Sequence, residues 1–334
     1  MGSAPADRPG PGQLPGRTAV SAPAPRPLRQ PLDTLATGAM LLLCVCWGFQ
    51  QIAIKLVADD VAPIMQIGLR SAFAAIVLAA VVWRREGARA LADGTVLPGL
   101  IVGLLFAAEF LFVAQGLVYT TASHMSVFLY TAPIFAALGL HWLLPEERMK
   151  PLQWIGVAIA FCGIAVAFLG KGQSEGHAAA PNMLLGDAMG LAAGLLWGAT
   201  TVAIRKTSLS EAAPAKTLLY QMAIAATGLL AYAAATGSDG FRYTAAAVLS
   251  VGFQSVVVAL SSYLAWFWLL RRYLASRLSI LSFMTPLFGV SFGVLILDEP
   301  LDASFVLGAL LVLAGITLVS GAELLREKFR RRAA

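Results

Sequence analysis

Two charged side chains stand well inside otherwise apolar runs of this chain, Arg70 and Glu109. Burying either one costs roughly 3 kcal/mol at the centre of a bilayer, so each needs a partner or water. An arginine in that setting can hold a carboxylate, and a glutamate can hold an amine or a proton. The same two residues can instead form a structural ion pair that fixes neighbouring helices. Arg70 stands six residues into its run, about 9 Å deep, and from there it can also extend toward the interface. Glu109 stands nine residues before the end of its run, about 14 Å deep. A direct or water-bridged pair between them is within reach. Gln66, one helical turn before Arg70, shares its face, and Gln50 lies at a similar depth in an earlier run. These four residues are candidates for a site that takes substrate or a coupling ion.

Tyr130, Trp197, Tyr263 and Trp266 also fall within apolar runs, away from the ends where Trp and Tyr form interfacial belts. They read either as ordinary packing or as the wall of a cavity for an amphipathic or aromatic molecule. Pro133 and Pro286 fall near the middle of two runs. A proline there removes a backbone donor and kinks the helix, which makes both candidate hinges. Gly186, Gly190, Gly194 and Gly198 recur at every fourth position and read as a stripe for close packing inside the molecule. His124, at the end of a run, reads as an exposed polar residue, while His141 and His177 have no ligand spacing. Cys44, Cys46 and Cys162 sit in apolar runs without a CxxC pair and read as reduced small hydrophobes. HExxH, GxxxxGK[ST] and a nucleophile elbow are all missing, and no cofactor or metal is expected.

The elements that must position these residues are membrane helices. Of 334 residues, 58% are hydrophobic and 13% charged, with a mean hydropathy of +0.76, where a soluble domain carries about 25% charged residues. Too little polar surface remains for a water-soluble globule, which excludes a soluble enzyme and a disordered protein. Apolar stretches near 35–57, 64–83, 97–118, 122–143, 151–170, 184–204, 217–235, 244–270, 276–297 and 302–321 predict ten transmembrane helices. None alternates as a barrel strand would. Residues 1–33 hold eight of the 17 prolines and predict a disordered, basic cytoplasmic tail with no secretory signal. With the N-terminus in the cytoplasm, 20 of the 24 Lys and Arg residues fall on that side, including the basic tail 322–334. Only Lys55, Lys171 and Arg242 fall opposite, so the bias puts both termini inside. The net charge of +6 then reports cytoplasmic loops facing a lipid bilayer, with no nucleic-acid partner implied.

The two halves repeat each other. Trp47-Gly48 and Ala53-Ile54-Lys55 recur 150 residues later as Trp197-Gly198 and Ala203-Ile204-Arg205. Ala122, Ser123, Ser126, Pro133, Phe135 and Glu146 recur at an offset of 153 as Ala275, Ser276, Ser279, Pro286, Phe288 and Glu299. Gly156 and Gly163 recur as Gly308 and Gly315. Ordered matches along the whole length indicate a duplication. With an odd five helices per half, the second enters the bilayer from the opposite face, which makes the repeats inverted. Arg70 and Glu109 then correspond to Gln221 and Ser262, so the second half keeps polarity and drops both charges. On this reading the charged pair serves access or proton coupling, while Gln221 and Ser262 line the inner half. Drift after duplication is the rival account.

Two tandem five-helix repeats, a Trp-Gly in the first helix of each, a proline in the fourth, and Glu299-Pro300-Leu301 before the last helix resemble the EamA family of the drug/metabolite transporter superfamily. The first half departs from the family pattern and reads Pro145-Glu146-Glu147 where that pattern has Gly-Glu. The resemblance covers 35–321 as two repeats, 35–170 and 184–321. It implies an all-α integral membrane protein of ten transmembrane helices in two inverted repeats, exporting small metabolites such as amino acids or drugs from a bacterial inner membrane. The implied partners are a small-molecule substrate, the bilayer and a coupling proton or ion, with alternating access as the mode. An intramembrane enzyme and a structural or regulatory membrane protein remain as alternatives. The first would need a compact constellation at one depth, and only Arg70 and Glu109 offer one.

Overall fold

The computed structural model describes residues 2, 33–87, 90, 92–145, 148–169, 181–273, 278 and 281–333. The proline-rich tail, Glu146, Lys171, His177, Ala275, Ser276 and Ser279 lie outside the described residues. No β-strand forms among the described residues, and an isolated antiparallel bridge pairs Val61 with Phe241. In chain order the helices are α1 (Thr34–Leu56), α2 (Pro63–Glu86), α3 (Val96–Tyr119), α4 (Ala122–Leu129), α5 (Ala132–Leu143), α6 (Pro151–Leu169), α7 (Met183–Lys206) and α8 (Pro214–Ala235). Then α9 (Ala245–Gly252) runs through a π-helical stretch, Phe253–Ser262, into α10 (Tyr263–Arg272), followed by α11 (Met284–Leu297) and α12 (Ala303–Ala333).

Eight segments are long and apolar enough to cross a bilayer, counting α4 with α5 and α9 with its continuation as one each. Two further apolar helices, Pro151–Ala167 and Met284–Leu297, are shorter. At 14 residues, α11 is only about 21 Å long, against a hydrocarbon core of about 30 Å. The first part of the span expected at 276–297 lies largely outside the described residues. Helix starts follow local chemistry. The Asp33 carboxylate accepts from the Ala36 amide at 2.7 Å, and Thr121, Asn182 and Thr244 cap α4, α7 and α9 in the same way. Pro63 and Pro214 open α2 and α8, where a missing N–H costs nothing.

Glycines set the closest approaches. A Cβ on Gly99 or Gly103 would overlap Tyr220 or Ile224, so α3 lies directly on α8. Gly186, Gly190, Gly194 and Gly198 face Thr120, Phe128, Thr131 and Phe135 in turn, which packs α7 along α4 and α5 within the molecule. The tightest crossing joins α6 to α12. There Gly156 meets the Gly315 carbonyl and Gly163 the Gly308 carbonyl, and a Cβ on any of the four would stand 2.5–2.8 Å from the opposing oxygen. One core of Ile, Leu, Phe and Met side chains joins α1, α2, α3, α7 and α8, and a second lies between α4, α5, α6 and α12.

Polar clasps finish the bundle. The Lys216 ammonium on α8 reaches the Asp93 carboxylate at 2.5 Å and that of Glu86 at 3.3 Å. Hydrogen bonds from Lys216 and then Thr95 hold the Asp93 carboxyl down at about 2. At the other end of the bundle, the Arg242 Nε lies 3.2 Å from Asp60, and the Thr244 hydroxyl donates to the same carboxylate.

Candidate functional site

A cavity of about 610 Å³ occupies the middle of the bundle, within the size range of small-molecule sites. Its walls come from α1, α3, the α4–α5 junction, α7, α8 and α10. It extends to Leu209, Ala212 and Pro214 in the α7–α8 connection. The candidates Gln50, Glu109, Tyr130, Pro133, Trp197, Gln221, Tyr263 and Trp266 all face it. The aromatic residues act as walls. Tyr130 meets Trp197 edge-on at 5.3 Å, and Trp47 meets Trp266 edge-on at 5.8 Å. Ser262 does not appear among the lining residues. It stands behind Trp47, accepting from the indole N–H at 2.8 Å and donating to the Val258 carbonyl.

Arg70 and Glu109 are both buried, at 3% and 4% exposure, yet they form no direct ion pair among the described residues. In place of a direct pair there is a layered arrangement. The Arg70 guanidinium lies over the Phe110 ring, 4.7 Å from its centre, and Phe110 with Glu109 lines the cavity. Arg70 stays within electrostatic reach of Glu109 and Tyr263 from behind that ring. One guanidinium nitrogen, Nη1, and one carboxylate oxygen, Oε2 of Glu109, are buried without a hydrogen-bond partner among the described residues. Gln66 does not join this site. Its amide donates to the carbonyls of Ile54 and Val61 and accepts from Gln254, which knits α1, α2 and the π stretch together. A glutamine one turn from Arg70 satisfies backbone carbonyls left over at a helix end more cheaply than it could reach the cavity.

The prolines make breaks, not kinks. The expected fourth helix ends at Leu129, turns at Tyr130 and Thr131, and restarts with Pro133 in the first turn of α5. A continuous helix would drive the Pro133 ring into the carbonyl four residues back. The Thr131 hydroxyl and amide both donate to the Phe128 carbonyl instead. Pro286 likewise sits in the first turn of α11, after a turn at Phe283. Tyr130 and Phe283 therefore face the cavity from irregular backbone, which a membrane protein tolerates where it lines a cavity.

At the end of the bundle away from Pro214, a buried polar cluster replaces the exposed histidine that the sequence suggested. His124 is 3% exposed. Its Nδ1 lies 2.8 Å from the Asp187 carboxylate, and its ring stacks on Phe305 at 3.6 Å. Thr120 donates its hydroxyl to the other Asp187 oxygen, and its carbonyl accepts from the Lys55 ammonium at 2.6 Å. Glu299 accepts from the Ala122 and Ser123 amides and the Ser123 hydroxyl, placing a carboxylate on the N-terminus of α4. Asp187 escaped the sequence reading altogether. The repeated Glu299, with His124 and Lys55 at the same end, is the signal that points to this cluster.

The family model described as the EamA-like transporter family matches residues 35–169 and again 184–321. Among curated proteins, the chain is 25% identical to YoaV of Bacillus subtilis (strain 168), an uncharacterized transporter, over 83% of this chain and 94% of that one. It is 26% identical to a probable amino-acid metabolite efflux pump of Escherichia coli (strain K12), over 83% of this chain and 91% of that one. A solved crystal structure shares the fold at a TM-score of 0.60 and 20% identity, covering 88% of this chain and 97% of its own. With two copies of the family pattern accounting for nearly every helix, the chain belongs to the EamA-like transporter family and is a multi-pass membrane protein.

Proposed function

We propose that this transporter exports small metabolites, amino acids or drugs among them, by alternating access between two inverted five-helix repeats. Both termini lie in the cytoplasm, and the bilayer is the inner membrane. The observation that carries this reading is the asymmetry of the cavity. It reaches the α7–α8 connection at one end, and the cluster of Lys55, His124, Asp187 and Glu299 closes the other. The basic residues Arg205, Lys206 and Lys216 flank that connection, so the open end is the cytoplasmic one. This is the state that loads a substrate for export.

Packing supports the inverted repeat. Gly48 meets Phe288 and Thr285, and its counterpart Gly198 meets Phe135 and Ala132. α6 packs on α12, α2 on α8, and α4 on α11, each a helix against its own repeat partner. Rocking the halves about these contacts would close the cytoplasmic end and open the other. A proton gradient is the driving force in this reading, with Glu109 as the group that carries the proton. The relatives named as amino-acid metabolite efflux pumps support the substrate class.

Proteoliposomes preloaded with mixed amino acids and cationic drugs test this. Efflux should exceed that of empty-protein controls and should accelerate when a proton gradient is imposed. Equal leak with and without protein, across the whole substrate panel, would refute the export reading.

A further inference from the structure

We infer that the cavity is a site for organic monocations, with a primary or secondary ammonium on the Glu109 carboxylate and a flat apolar body among Trp47, Tyr130, Trp197 and Tyr263. The inference rests on the transport reading and names the chemical class its cavity takes.

The charge that faces the cavity is negative. Glu109 lines it, and its Oε2 is buried without a donor among the described residues. A buried carboxylate oxygen without a donor is costly, and an ammonium supplies the charge-assisted hydrogen bond that is missing. Arg70 is not among the lining residues. Phe110 lies between its guanidinium and the open space, so a ligand carboxylate would have to displace that ring to reach it. Arg70 therefore supplies the counter-charge of Glu109 from behind and leaves the cavity side of the carboxylate to a ligand. Two further buried wall atoms lack a partner among the described residues: Oε1 of Gln51, an acceptor, and the Thr200 hydroxyl, which can accept or donate.

The rest of the wall suits the same ligand. The edge-on pairs Tyr130–Trp197 and Trp47–Trp266 line the cavity, and aromatic rings attract cations to their faces. Ser262 fixes Trp47 by taking its indole N–H, so that wall is preset before a ligand arrives. An anion would meet these rings and the Glu109 carboxylate with no Lys or Arg among the described lining residues to offset them. A zwitterion would gain the ammonium contact and lose part of it through its carboxylate.

Calorimetric titration of the purified protein with tryptamine, tryptophan, N-acetyltryptamine and indole-3-acetate keeps the ring constant and varies the charge. Tryptamine should bind best, with N-acetyltryptamine and indole-3-acetate weaker by about 10- to 100-fold, the range of one charge-assisted hydrogen bond. This series uses the unaltered protein, so it decides the matter even if a variant misfolds. Glu109→Gln should reduce tryptamine to the level of N-acetyltryptamine and leave the latter unchanged. The cation site is overturned if tryptamine does not bind, if tryptophan or indole-3-acetate binds more tightly, or if Glu109→Gln folds and binds tryptamine as before. Efflux of other metabolites without tryptamine binding would remove the cation site and keep the export reading. Tryptamine binding without efflux of any substrate would do the opposite.

Discussion

Asp187 ties α7 to the junction of α3 and α4 at the closed end, because both its oxygens are engaged, one by Thr120 and one by His124. Asp187→Ala leaves a hydroxyl and an imidazole without that acceptor in a buried setting, at about 1–3 kcal/mol for each group so orphaned. Thermal unfolding in detergent should fall clearly for Asp187→Ala and less for Asp187→Asn, which keeps one acceptor. Equal unfolding temperatures for all three proteins would remove the cluster's structural role. At the opposite end, acid acts on Asp93. Its folded carboxyl sits at about 2, below an ordinary value of 3.8. The stability it contributes is therefore present above that ordinary value and lost as pH falls through the folded one. Asp93→Asn should narrow its gap to the parent protein between pH 5 and pH 2 if that linkage holds. At this scale the sequence told half the story. Glu109 and Arg70 were visible because charge is rare in apolar runs, but Asp187 sits one turn into a helix, where a polar residue is unremarked. Its partner His124 is 63 residues away, and periodicity carries no information about pairs so far apart.

Among the elements, the run boundaries were legible because hydrocarbon imposes a fixed length on any helix that crosses it. The expected 35–57, 64–83 and 97–118 became Thr34–Leu56, Pro63–Glu86 and Val96–Tyr119. The breaks at Tyr130 and Phe283 and the π stretch Phe253–Ser262 were not legible. They are set by what the backbone meets in three dimensions, and hydropathy is blind to them. Pro133→Ala restores a backbone donor and removes the ring clash, so α4 and α5 should fuse. Tyr130 would then leave the cavity wall. Protein yield should hold while transport slows, and wild-type rates in both Pro133→Ala and Pro286→Ala would show that the breaks are incidental. Gly163→Ala puts a methyl against the Gly308 carbonyl. Overpacking of this kind costs about 1–3 kcal/mol, to be read as a lower unfolding temperature.

For the whole molecule, the proposed inverted repeat makes a statement about sides. Single cysteines at Arg148 and Arg242, in a background lacking Cys44, Cys46 and Cys162, should label with an impermeant reagent from opposite faces of the membrane. Labelling from one face would end the two-repeat topology. The duplication itself was readable in the sequence, because residues that repeat in order need no structure to be recognised. What the repeats do to each other was hidden. Gly156 and Gly163 of α6 meet Gly315 and Gly308 of α12, the order reversed, backbone on backbone. That crossing has a kinematic consequence. The side chains of Ala160, Ala167, Leu311 and Val319 fill the notches beside the four glycines. Two helices keyed together so closely cannot turn or slide past each other without first moving apart. α6 and α12 would then be the axle of the machine, the part whose spacing does not change while everything around it swings.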